Sequence, residues 1–113
     1  MNAKYLGRIS TLLHDARPRL GQTHDLEFKS FFGAVAAYLD GQLFASCGKF
    51  GVALKLPPRT LARMLEERGV KPLKYFPKGH VKKDYAVLPK RILADVPALK
   101  KLVDKSIAHV LSA

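Results

Sequence analysis

The sequence predicts an α+β fold: a two-layer α/β sandwich with helices packed on a mainly antiparallel five-stranded sheet, in the order α-β-β-β-α-β-β-α. Three observations carry that reading. Apolar residues recur at helical spacing at both ends of the chain, strand formers alternate through its middle, and Asp40-Gly41 hinges two of the apolar runs. With 113 residues, 48% of them hydrophobic, the chain can bury one ordinary core, so a single domain over residues 1–113 is expected.

Between Lys4 and Arg17, Tyr5, Ile9, Leu12, Leu13 and Ala16 lie at helical spacing, and Pro18 stops the helix. Residues 18–25 read as a polar, turn-rich loop. Leu26, Phe28 and Ser30 then alternate with Glu27, Lys29 and Phe31 as in a strand. Gly33 reads as a bulge through which that strand bends into the next. Asp40-Gly41 between strand formers predicts a type I′ hairpin, whose two central residues need positive φ. A two-residue loop sets Leu39 opposite Gln42, Ala37 opposite Phe44 and Val35 opposite Ser46. A second turn at Gly48-Lys49-Phe50-Gly51 leads to a third strand, with Val52, Leu54 and Leu56 on one face and Ala53 and Lys55 on the other. The resulting meander has few helices to cover it, so one face is expected to be partly bare and available for contact or dimerisation.

Pro57-Pro58 ends that strand and starts a helix over Arg59–Arg68, with Leu61, Met64 and Leu65 as its inner stripe and Gly69 as a left-handed cap. Two further strands fall in "KPLKYFPKG" and "HVKKDYAVLP", the second with Tyr85 and Val87 alternating with Ala86 and Leu88. Asp95 with Pro97 opens the last helix, whose stripe is Leu99, Leu102, Val103, Ile107 and Val110.

The charge is uneven. Twenty Lys/Arg against nine Asp/Glu give a net +11. Residues 1–48 carry five basic against four acidic side chains, whereas residues 49–113 carry fifteen against five. Lys71, Lys74, Lys78, Lys82, Lys83, Lys90 and Arg91 are opposed over their span only by Asp84. Such a segment attracts polyanions, with nonspecific Kd on the order of 10⁻⁴ to 10⁻⁶ M. The bland counterpart is a solvated basic face that serves solubility alone. No apolar run approaches the roughly 20 residues of a bilayer span. The start "MNAKYLGRIS" lacks the apolar core of a secretory signal, and Cys47 is a lone cysteine without a disulfide partner. A cytoplasmic protein, bacterial in style and without a membrane role, is the expectation.

Three stretches, "FFGAVAAYLDGQLFASCGKFGVALKLP", "LARMLEERGVKPLKYFPKG" and "YAVLPKRILADVPALKKLVDKSIAHVL", carry a resemblance. The features are Phe32-Gly33, the turn Tyr38 to Gly41 followed by Leu43-Phe44-Ala45, Leu54 to Pro57, Pro72 with Tyr75 near Gly79, Leu88-Pro89, and Ser106. Their order and spacing together resemble the N-terminal domain of TfoX, the bacterial competence regulator also called Sxy. The likeness runs from about Lys29 to the C-terminus; residues 1–25 match poorly, and Phe31 stands where many relatives carry methionine. The resemblance implies a two-layer α/β domain. In two-domain members it implies promotion of DNA-uptake genes as a coactivator beside a cyclic-AMP receptor protein. With the chain ending at Ala113, a single-domain member is expected.

The residues themselves offer no catalytic set. Paired-cysteine, His-Glu-x-x-His, Gly-x-Ser-x-Gly and phosphate-loop motifs are missing from the sequence. His14-Asp15 and His24-Asp25 are adjacent pairs better suited to turn or cap chemistry, and Ser106 with His109 has no orienting carboxylate. We therefore expect no enzyme activity, cofactor or metal. Two binding readings remain. One is a regulatory module that contacts a protein, either the transcription machinery or a cyclic-AMP receptor protein by resemblance, or a second copy of itself, through positions such as Tyr38 and Phe44. The other is direct DNA or RNA binding through the Lys71 to Arg91 region, with Tyr75, Phe76 and Tyr85 interleaved among its lysines.

Overall fold

The computed structural model describes residues 1–112. Helix α1 (Ala3–Ala16) and a one-turn α2 (Leu20–Thr23) precede four strands: β1 (Leu26–Phe31), β2 (Ala34–Leu39), β3 (Gln42–Gly48) and β4 (Gly51–Lys55). Helix α3 (Pro58–Leu65), β5 (Lys71–Leu73), β6 (Lys82–Leu88), a one-turn α4 (Lys90–Leu93) and α5 (Val96–Leu111) complete the chain. The strands form one antiparallel sheet in the order β1-β2-β3-β4-β6-β5. The α+β architecture is as the sequence predicts, with one strand more than the five expected.

The extra strand arises at Phe32-Gly33. Rather than a bulge, these two residues form a tight hairpin turn with φ of 50° and 80°, so β1 ends at Phe31 and doubles back. Asp40-Gly41 makes the expected turn by the same geometry, with φ of 49° and 82°. The Asp40 carboxylate also accepts the Asp25 backbone N–H at 2.8 Å, tying the turn to the start of β1.

The β2–β3 register departs from a plain hairpin after its second pair. Leu39 faces Gln42 and Tyr38 faces Leu43, but Ala37 faces Ala45 and Val35 faces Cys47. Phe44 is the extra residue of a bulge, and it joins Ala45 in the core beneath the helices while Leu43 packs on the opposite face. Alternation alone does not reveal a bulge, which is why the expected pairing of Ala37 with Phe44 fails.

All helices pack on one side. Ile9, Leu13 and Ala16 of α1 and Leu99, Leu102, Val103, Ile107 and Val110 of α5 meet Val35, Leu39, Phe44, Cys47, Val52, Leu54 and Leu88 of the sheet. The Asn2 side chain caps α1, and Asp95 caps α5 by accepting from the Ala98 N–H at 3.1 Å. Helix α3 stops at Leu65, short of Arg68, and its buried residue is Thr60, whereas Leu65 is 40% exposed. Among the described residues, no helix is long and apolar enough to cross a membrane.

Candidate functional site

The face of the sheet away from the helices is better covered than the sequence implies. Ala34, Ala36, Ser46 and Ala53 there are all buried. Small residues leave room, and the loop after β5 folds back into it. The Tyr75 hydroxyl donates to Ser46 Oγ at 3.2 Å, which anchors the loop across the centre of the sheet. Burial also pushes the Tyr75 phenol above its ordinary pKa, and does so more strongly for Tyr85.

Around Tyr75 the aromatics converge from three separate turns. Phe31 and Phe50 meet its ring edge-on at centroid distances of 5.1 and 5.3 Å. Phe32, at the β1–β2 turn, lies 6.1 Å from Tyr75 and 5.7 Å from Phe76. Phe32 and Phe76 are 66% and 54% exposed. Phe32, Phe50, Tyr75 and Phe76 line a pocket of about 410 Å³ together with Tyr5 and Lys49.

A second concavity lies on the helix side, between α3, α4 and α5, with a volume of about 530 Å³. Met64, Ile92, Ala98 and Leu102 line it together with Arg63, Lys101 and Lys105. Arg91 is also at its edge but is engaged, pairing with Glu67 at 3.6 Å and donating to the Arg68 carbonyl.

The basic residues singled out in the sequence do not form one surface. Lys71 lies on edge strand β5, Lys74 and Lys78 on the folded-back loop, and Lys82 and Lys83 at the start of β6, all exposed. Lys90 and Arg91 sit instead on α4, and α4 packs into the helix-side core through Ile92 and Leu93. Tyr85 is buried, so of the three interleaved aromatics only Phe76 is freely exposed, with Tyr75 half-buried. Phe44 is fully buried and cannot serve as a contact residue, because the bulge turns it into the core. Tyr38 is half-buried, with Lys29 Nζ 4.9 Å from its ring centre. Phe32, Phe50 and Lys49 were missed by sequence reasoning; the one signal for Phe32 is a two-residue Phe-Gly spacing between strand patterns.

The second of the adjacent His-Asp pairs takes up a local role: His24 Nδ1 lies 2.8 Å from Thr23 Oγ1, and the Asp25 backbone is held by Asp40. Ser106 is buried and donates to the Phe44 carbonyl at 3.4 Å. No group of three His, Cys, Asp or Glu side chains that could hold a metal ion occurs among the described residues.

The sequence profile of the TfoX N-terminal domain matches residues 19–110, most of the chain. The chain belongs to the TfoX N-terminal domain family. No curated protein matches it. The match starts well before Lys29, the beginning of the resemblance carried by the sequence motifs, and so takes in α2 and all of β1. Helix α1 precedes the matched TfoX segment yet is integral to the core through Ile9, Leu13 and Ala16. The TfoX-like features divide between the two sides of the sheet. Phe44, Leu54, Leu56, Leu88 and Ser106 build the core, while Leu43 and Tyr75 pack on the helix-free face beside Phe32.

Proposed function

We propose that this TfoX N-terminal domain is a non-enzymatic regulatory module that acts in the cytoplasm by holding a protein partner in the cleft between α3 and α5. The supporting observation is the make-up of that cleft: Met64, Ile92, Ala98 and Leu102 offer apolar surface, Arg63, Lys101 and Lys105 stand around it with no ion-pair partner among the described residues, and its two carboxylates are engaged, Glu67 with Arg91 and Asp95 as the cap of α5. An amphipathic helix with an acidic face complements both properties, its apolar stripe filling the groove and its carboxylates meeting the cations. A second copy of this chain is a poor occupant, because at net +11 it repels itself. Family membership supports a competence-related role, with the partner drawn from the transcription machinery, in the first instance a cyclic-AMP receptor protein, and the output being expression of DNA-uptake genes.

The test is calorimetric titration of the purified domain with purified cyclic-AMP receptor protein, beside an Arg63→Glu/Lys105→Glu variant. We expect a Kd of roughly micromolar order and a weakening of about tenfold or more in the variant. Absence of binding would remove this partner; equal binding by the variant would move the contact off the cleft.

A further inference from the structure

Phe32 is placed against two ordinary preferences at once. Its φ of 50° lies in the left-handed region that bulky side chains avoid, at a turn position that favours Asn, Asp or Gly. Its ring is nevertheless 66% exposed, so burial does not offset that cost. Phe76, which T-stacks against it at 5.7 Å, is 54% exposed as well. Tyr75 and Phe50 form a fixed floor, with Tyr75 pinned to Ser46. Strain and exposure concentrated in one aromatic cluster are expected where a surface is kept for a ligand.

The surrounding charge identifies the ligand's class. Lys49 lines the same pocket, and Lys74 and Lys78 bracket the Tyr75-Phe76 pair in the chain. None of the three has an ion-pair partner among the described residues, and no carboxylate lines the pocket. An aromatic cage for a quaternary ammonium would have to tolerate that ammonium group. A planar group carried on an anionic chain fits instead. Nucleobases stack on open aromatic faces in any sequence, and their phosphates sit against lysines. In a duplex the base faces are covered by their neighbours, so only single strands present them. The volume, about 410 Å³, lies in the range of pockets that enclose small ligands.

We propose that Phe32 and Phe76, set above Tyr75 and Phe50, form a stacking platform for single-stranded nucleic acid whose phosphates are held by Lys49, Lys74 and Lys78. The platform lies across the sheet from the α3–α5 cleft and does not depend on it.

Fluorescence anisotropy with labelled oligothymidylate and oligouridylate about 15 nucleotides long, against a duplex of equal length, tests this at several salt concentrations. Single strands bind more tightly than the duplex, and the tighter of the two oligomers identifies DNA or RNA as the preferred class. Phe32→Asn and Phe76→Ala each weaken single-strand binding about fivefold to a hundredfold and leave the salt slope unchanged. Lys49→Gln/Lys78→Gln lowers the slope by roughly 0.7 per lysine. Phe32→Asn creates the Asn-Gly pair preferred by this turn, so it folds at least as stably as the parent, and thermal melting separates lost binding from lost folding. Three results would each overturn the proposal: no binding at low salt, equal binding of duplex and single strand that ignores both Phe variants, or a dimer in sedimentation that Phe32→Asn dissociates while oligonucleotides fail to bind.

Discussion

Asp104 joins the first helix to the last: it accepts from Arg17 Nη1 at 2.7 Å and from Lys100 Nζ at 3.0 Å. Burial acts to raise its pKa, but the hydrogen bonds and charges of Lys100 and Arg17 outweigh burial and hold the carboxyl below its ordinary value. A group lowered on folding adds stability that is fully present above the unfolded pKa of about 3.9 and is lost as pH falls through the lower folded value. Both sides of the pair are partly exposed, at 29% and 42%, so the contribution is modest. Asp104→Asn should cost about 0.5–1 kcal/mol at neutral pH by urea unfolding, and the two proteins should converge at about pH 2. A gap that persists in acid would assign the effect to packing instead of charge.

At the level of single elements, the bulge in β3 decides which aromatic is structural. Because it turns Phe44 inward among Val35, Leu39, Leu99 and Val103 of the core, Phe44→Ala should cost about 3–5 kcal/mol, read as a shift in denaturation midpoint at unchanged slope. A cost below about 1 kcal/mol would place the ring at the surface after all. The sequence was legible where a local rule had no competitor. Asp40-Gly41 gave its hairpin, and the α5 stripe from Leu99 to Val110 gave its buried face. Gly33 inside a strand pattern reads as a bulge, and the tight turn at Phe32-Gly33 escapes that reading because phenylalanine is foreign to a type I′ turn. The four-residue helices α2 and α4 are too short to show a period. Of the aromatic pocket, Tyr75 and Phe76 were visible among their lysines. Phe32, Phe50 and Lys49 reach them only by the loop's return across the sheet, a non-local contact that no window of sequence contains.

Over the whole molecule, placing every helix on one side leaves two chemically different exteriors. One is a groove between helices; the other is a sheet sealed by a loop instead of a second helical layer. The basic half of the chain contributes to both, since Lys101 and Lys105 border the groove while Lys49 lines the aromatic pocket and Lys74 and Lys78 lie on the loop that carries Tyr75 and Phe76. Between these exteriors lies Cys47, fully buried on β3, a strand paired on both sides. Burial also pushes its thiol above the ordinary pKa, which further lowers the reactive thiolate. A sulfhydryl reagent can reach it only after the middle of the sheet opens, so its modification in native buffer should proceed at the rate of global unfolding and be complete within the denaturant transition seen by circular dichroism. Labelling faster than unfolding would reveal a local opening of the β2–β4 meander. The chain's single thiol is thus a built-in clock, able to time the life of the folded state without any probe being engineered into the protein.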